Sequence, residues 1–134
     1  MPVVYMLDTN VASFAIKDSV PGLRAHLRRF RMNQLGVSVI TEAELRYGLA
    51  RKPEATRLRP RVFEFLGSVK ILPWTSTAAA HYASTRAVLD RAGRTIDALD
   101  MLIAAHALAE DMTLVTNDAA FQRIAHLKTE DWTI

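Results

Sequence analysis

Carboxylates recur in this chain wherever a run of apolar residues stops. Asp8 follows Val3-Val4-Tyr5-Met6-Leu7, and Glu42 and Glu44 follow Val37-Ser38-Val39-Ile40. Asp97 and Asp100 stand at the opening of the apolar stretch from Ala98 to Glu110, and Asp118 follows Thr113-Leu114-Val115-Thr116. In open α/β sheets, ligands bind beyond the carboxyl ends of the strands, where loops lead into helices. Helix N-termini carry partial positive charge and favour carboxylates at the same place. Several carboxylates drawn together repel one another and rise in pKa unless a cation neutralises them. Hard oxygen ligands of this kind suit Mg²⁺ or Mn²⁺, which keep several waters and bind phosphates through the remaining positions.

Each acid also has a purely structural role open to it. Thr41-Glu42-Ala43-Glu44 spells a capping box, in which Glu44 bonds back to the Thr41 backbone N–H. Asp97 is well placed as a helix N-cap, and Asp118 as a turn or cap residue. Asp8 and Asp100 are harder to account for in that way. A carboxylate directly after five apolar residues, at the end of a central strand, costs free energy unless it is paired or bound to a metal. Asp100 lies in the first turn of a helix whose other faces are apolar, so it either points into a cleft or is unfavourably placed.

Other chemistries find little support. There is no cysteine, which removes disulfide scaffolds, thiolate metal sites and cysteine nucleophiles together. His26, His81, His106 and His126 show no HExxH spacing, and the chain has no Walker loop, GxGxxG or GxSxG. His106, on the apolar stretch, reads as a satisfied core histidine. Trp74 and Trp132 read as packing or rim residues, and 7% aromatics argues against an aromatic nucleic-acid platform.

The elements that position the carboxylates follow from periodicity. Val3–Leu7, Val37–Ile40, Val69–Leu72 and Thr113–Thr116 read as strands. The first of them stops at an Asp-Thr-Asn turn. Pro21-Gly22 opens an amphipathic helix with Leu23, Leu27 and Phe30 on one face. A helix over residues 42–51 is capped by Thr41, and a further pattern, interrupted by Pro60, runs through Leu66 and stops at Gly67. A long helix spans residues 76–91, with Gly93 as its stop. The apolar helix over 98–110 is buried on nearly every face, and a short helix carries Phe121 and Ile124. Strands alternating with helices predict an α/β fold with a mostly parallel sheet covered on both faces.

A chain of 134 residues makes about one domain, spanning residues 1–134. No linker, repeat or low-complexity segment divides it. The passage from Met1 into Val3–Leu7 is too short for a signal peptide and has no basic flank, and no apolar run approaches the ~18 residues of a membrane span. The expected location is therefore cytoplasmic, with no membrane contact. Charge is unevenly spread: residues 22–61 hold 10 Lys/Arg and 3 Glu, a balance of +7, and the remainder 7 basic and 11 acidic residues, a balance of −4. The basic stretch is either a polyanion-binding surface or the solvated face of a helix.

Four segments carry a resemblance. Leu7-Asp8-Thr9-Asn10, Ser38-Val39-Ile40-Thr41-Glu42-Ala43-Glu44-Leu45-Arg46-Tyr47-Gly48, Asp97-Ala98-Leu99-Asp100 with the run through Leu108, and Thr113-Leu114-Val115-Thr116-Asn117-Asp118 occur in this order. In that order the chain closely resembles the PIN-domain ribonuclease toxins of bacterial VapBC toxin–antitoxin pairs, over essentially its whole length. The resemblance implies a three-layer αβα sandwich around a central, mostly parallel sheet. It implies an endoribonuclease dependent on Mg²⁺ or Mn²⁺, commonly a homodimer, inhibited by a cognate VapB-type antitoxin and often directed at transfer RNA.

By motif position, Asp8, Glu44, Asp100 and Asp118 correspond to the family's acidic quartet. Asp8 and Asp100 are the principal metal ligands, with Glu44 and Asp118 completing the site directly or through water. Thr9, Asn10 and Thr116 match its supporting polar residues. Asp97 is a cap or a supporting residue behind the ligands, and Glu42 falls outside the motif. Arg24, Arg28, Arg31 and Arg46, with Arg51 and Lys52, are the candidates for holding the RNA backbone. Two other readings stand beside the toxin: a PIN-like nuclease acting in RNA processing without an antitoxin, and a binding or dimerisation module that keeps the fold without its chemistry.

Overall fold

The computed structural model describes residues 2–134; Met1, where the reading of the N-terminus begins, lies outside them. The chain runs through β1 (Tyr5–Leu7), α1 (Thr9–Lys17), α2 (Pro21–Leu27), β2 (Leu35–Ser38), α3 (Val39–Arg51) and α4 (Leu58–Ser68). It continues through β3 (Lys70–Leu72), α5 (Ser76–Arg91), α6 (Ala98–Ala109), β4 (Thr113–Val115) and β5 (Thr129–Glu130). Short 3-10 turns at Met32–Gln34 and Ala119–Arg123 lead into β2 and follow β4. The strands form one parallel sheet in the order β3-β2-β1-β4-β5. β1 is central, with Leu7 level with Val37 on one side and Val115 on the other. The direction of winding reverses between β1 and β4, and at such a switch point the loops diverge and leave a crevice.

Alternation along the strands divides the core into two layers. Leu7, Leu35, Val37 and Val115 face one apolar cluster, closed by Val11, Ala12 and Ile16 of α1, Leu23 of α2, Leu49 of α3 and Val62, Phe65 and Leu66 of α4. Met6, Leu72 and Leu114 face the other, closed by Leu89 of α5 and by Met101, Ile103, Ala104 and Ala107 of α6. Successive strand residues point to opposite faces, so β1 feeds both layers. The result is the expected αβα sandwich.

Several local readings are corrected. The Asp-Thr-Asn segment is not a turn but the start of α1, because the Asp8 side chain accepts the Val11 N–H at 2.8 Å and caps the helix. Val39 and Ile40 are helical, because Ser38 Oγ accepts the Ile40 N–H at 3.1 Å and starts α3 three residues before Thr41. The Thr41–Glu44 capping box therefore does not form. Pro60 lies in the first turn of α4, where its missing N–H costs nothing, and α4 passes Gly67 to Ser68. Gly93 does end α5, in the left-handed conformation at φ 67°.

The closing segment locks onto the α2 side. Trp132 is buried, its ring stacked 5.3 Å from Phe30 and 5.4 Å from His26, with Tyr5 tilted against it at 5.0 Å. A Cβ on Gly22 would stand 2.8 Å from the Thr133 carbonyl oxygen, so only glycine lets α2 approach this segment so closely. Trp132→Ala is expected to lower stability by about 3–5 kcal/mol in urea denaturation. A loss under about 1 kcal/mol would remove the segment from the core.

Candidate active site

Each carboxylate reaches the site from a different element. Asp8 is the first residue beyond the central strand; its N–H bonds to the Val115 carbonyl at 3.0 Å, which ties it to β4. Only 3% of it is exposed. Burial raises the pKa of its carboxyl group. The Thr116 and Val11 hydrogen bonds pull it back down, and the charges of Asp118 and Glu44 push it up again. Asp100 lies in the first turn of α6, and its carboxyl is pushed up to about 6, first by burial and then by Asp97, Asp8, Glu44 and Asp118. Four carboxylates from four chain segments thus act on one another electrostatically.

Small hydroxyl groups set the other two in place. Thr9 Oγ1, at the start of α1, donates to Glu44 Oε1 at 2.7 Å and lies 3.1 Å from the buried Thr41 hydroxyl. Glu44 is held by α1 rather than by its own helix terminus. Thr116 Oγ1 accepts the Asp118 N–H at 3.0 Å, and the Asp118 carboxylate accepts the Ala120 N–H at 2.9 Å, starting the 3-10 turn. Asp97 is exposed and caps α6 through a long 3.4 Å bond from the Asp100 N–H, so it is a cap that also raises its neighbour. Asn10 is exposed and lines a cavity together with Thr9 and Glu44.

Behind the carboxylates, α6 is tied to the start of α3. His106 is fully buried and its Nδ1 lies 2.7 Å from Ser38 Oγ, the cap of α3. Nε2 makes no hydrogen bond among the described residues, so this core histidine is only half satisfied. Burial lowers its pKa, partly offset by Glu110 and the Pro73 carbonyl.

The donor set fits a divalent cation. Among the described residues, the lysine and arginine ion pairs go to Asp18, Glu42, Asp90 and Asp111, and none reaches Asp8, Glu44, Asp100 or Asp118. Among these residues no group of three or more histidine or acidic side chains stands close enough to hold a metal ion as it is, so the acids do not form a ready-made cage. An open, oxygen-only arrangement is what Mg²⁺ or Mn²⁺ needs, since such ions keep several waters and use few protein ligands. His106, bonded to Ser38, stands apart from that set.

Comparison with known proteins shows the family. Residues 5–127 match the PIN domain family. The chain belongs to that family. It is 35% identical over 131 residues to the tRNA(fMet)-specific endonuclease VapC of Shigella flexneri, covering 96% of this chain and 97% of the relative. It is 37% identical, with the same coverage, to ribonuclease VapC2 of Haemophilus influenzae. Among solved structures it resembles DNA-bound VapBC from Salmonella typhimurium, with a TM-score of 0.90 at 32% identity over 97% of this chain and 98% of that one. VapBC2 from Rickettsia felis, bound to a DNA fragment from its promoter, gives 0.87 at 32% identity over 96% and 98%.

In this PIN domain the basic residues are distributed differently from the acids. Arg24 is paired with Asp18 at 2.7 Å, and with Arg28 it lines a separate cavity under α2. Arg46 is paired with Glu42 at 2.9 Å and lies over the Phe63 ring. Arg31 has its backbone N–H bonded to the Gln34 side chain. The cations that line the cavity with Thr9 and Glu44 are Lys17, Arg51 and Lys52. Lys17 was invisible to sequence reading because α1 itself was, and so was the contact of Thr41 with Thr9.

The raised Asp100 carboxyl has a consequence for stability. In the unfolded chain it titrates near ~3.9. Between that value and about 6 the folded chain holds the extra proton, so stability falls as pH rises through the window and stays reduced above it. Metal-free protein is expected to lose urea resistance from pH 4 to 7, and Asp100→Asn to lose less. Superimposable profiles for the two proteins would contradict the placement of Asp100 among the other acids.

Proposed function

We propose that this PIN domain is a VapC-type toxin, an endoribonuclease that hydrolyses RNA phosphodiester bonds with Mg²⁺ or Mn²⁺. The observation that carries the reading is the quartet of mutually repelling carboxylates, without Lys or Arg partners, at the switch point of the sheet. Asp8 and Asp100 would hold the ion, and Glu44 and Asp118 complete its surroundings directly or through water. A bound divalent ion supplies a water of lowered pKa and charge neutralisation on the scissile phosphate and the leaving oxygen.

The rest of the work falls to the chain. The Val11 N–H and the Thr116 hydroxyl partly offset the rise that burial imposes on the Asp8 carboxyl. Thr9 fixes Glu44 in one orientation, leaving its second oxygen for a water or a ligand. Asn10 and Lys17 lie along the approach to the site. The VapC relatives support transfer RNA as the substrate, and the VapBC complexes support a cognate VapB-type antitoxin as the partner. The working form is a homodimer in the cytoplasm.

Incubation of purified protein with total cellular RNA tests this reading. Discrete fragments are expected with Mg²⁺ or Mn²⁺ and none with EDTA. Asp8→Asn and Asp100→Asn should each reduce cleavage at least about 100-fold while keeping the fold, and Glu44→Gln should cripple it as well. Normal cleavage by Asp8→Asn would remove the proposed ion site.

A further inference from the structure

Tyr47 is the most exposed aromatic side chain among the described residues, at 65%. It lies three positions after Glu44 and four before Arg51, so the three share one stripe of α3. The Arg51 guanidinium carbon stands 5.6 Å from the centre of the Tyr47 ring, within cation–π range. Glu44 and Arg51 of that stripe line a cavity of ≈ 240 Å³ together with Thr9, Lys17 and Lys52 among others, and Tyr47 stands outside its lining, between them in sequence. Lys17, Arg51 and Lys52 have no carboxylate partner among the described residues, unlike Arg24 and Arg46. Glu44 is the one carboxylate of the quartet that lines this cavity, and with the three cations it makes a groove of mixed sign.

We propose that Tyr47, backed by Arg51, is a stacking platform for one unpaired base of the RNA, with Lys17 and Lys52 holding the phosphates that flank it. This rests on the ribonuclease reading above and names how that site takes its substrate. An exposed ring offers a π-face to any base, and a guanidinium on the ring adds a cation at the height of the backbone. Bases are free to stack in this way only where RNA is single-stranded, so the groove selects loops and unpaired ends. Fixing the nucleotide beside the scissile bond also aligns the phosphate with the carboxylates, a contribution to rate as well as affinity. The low aromatic content of the chain does not oppose this, since one ring in the right place is sufficient. Tyr47 and Arg51 are positioning residues: they hold the substrate without touching the reacting atoms.

The test is binding of a fluorescein-labelled eight-nucleotide single-stranded RNA in EDTA, which keeps cleavage out of the readout. Relative to wild type, Tyr47→Leu is expected to lose about tenfold or more in affinity with an unchanged salt slope, and Tyr47→Phe to retain it. Lys17→Ala and Lys52→Ala should each flatten the salt slope by about one unit. An abasic version of the same oligomer should bind wild type and Tyr47→Leu equally. Equal affinity of Tyr47→Leu and wild type for the intact oligomer would overturn the platform, even if wild type still cleaves RNA. If Tyr47→Leu instead weakens only the complex with the co-expressed antitoxin, the ring serves that partner and the proposal is equally overturned. Loss of all RNA binding and cleavage in wild type would remove the ribonuclease reading itself.

Discussion

Asp8 places a carboxylate almost out of contact with water at the end of the central strand, and the surrounding structure is arranged around that charge. An isolated buried carboxylate is costly, and this one is also pushed up by the neighbouring acids Asp118 and Glu44. A helix N-terminus supplies part of the compensation, since the same side chain caps α1. The cap and the hydroxyl of Thr116 do not neutralise four acids, which leaves a cluster of negative charge without a Lys or Arg partner among the described residues. Placing this unfavourable cluster at the switch point of the sheet leaves it open to a ligand, whereas the two apolar layers carry the stability of the fold.

Local capping chemistry converts the sheet into that site. Ser38, Asp8, Asp97 and Asp118 each end a strand or loop and start a helical segment, so Asp8, Asp100 and Asp118 lie at or in a first turn and Glu44 in the second turn of α3. The hydroxyl groups then fix orientation across elements: Thr9 of α1 holds Glu44 of α3, and Thr116 after β4 holds the backbone of Asp118. The bond between His106 and Ser38 joins α6, which carries Asp100, to the cap of α3, which carries Glu44. Separate chain segments are thereby held as one carboxylate-bearing surface in this VapC-type PIN domain.

The sheet, the two layers and the acids were legible because strand and helix periodicity are strong signals and carboxylates after apolar runs are conspicuous. α1 was not, because Asp-Thr-Asn has turn chemistry and the side chain of Asp8 serves the helix only in three dimensions. β5 is two residues long and has no periodicity to detect. Thr41-Glu42-Ala43-Glu44 mimics a capping box, but Ser38 starts the helix earlier and tertiary bonds claim Thr41 and Glu44. The basic residues were the least legible. Density of arginine along the sequence marked residues 24–31, and Arg51 and Lys52 stand among the candidates with them, whereas Lys17, which lines the same cavity as Glu44, Arg51 and Lys52, lies at the end of α1.

The account stands on a carboxylate cluster that takes up a divalent cation, and calorimetric titration of Mn²⁺ at pH 6 in two buffers of different ionisation enthalpy tests it most directly. With the Asp100 carboxyl pushed up to about 6, close to half of it is protonated there, so binding should release a fraction of a proton and the observed heat should depend on the buffer. Binding should disappear in Asp8→Asn, with the fold intact by circular dichroism. Absence of Mn²⁺ binding to the folded wild-type protein, or binding that neither releases protons nor depends on Asp8, would contradict the account.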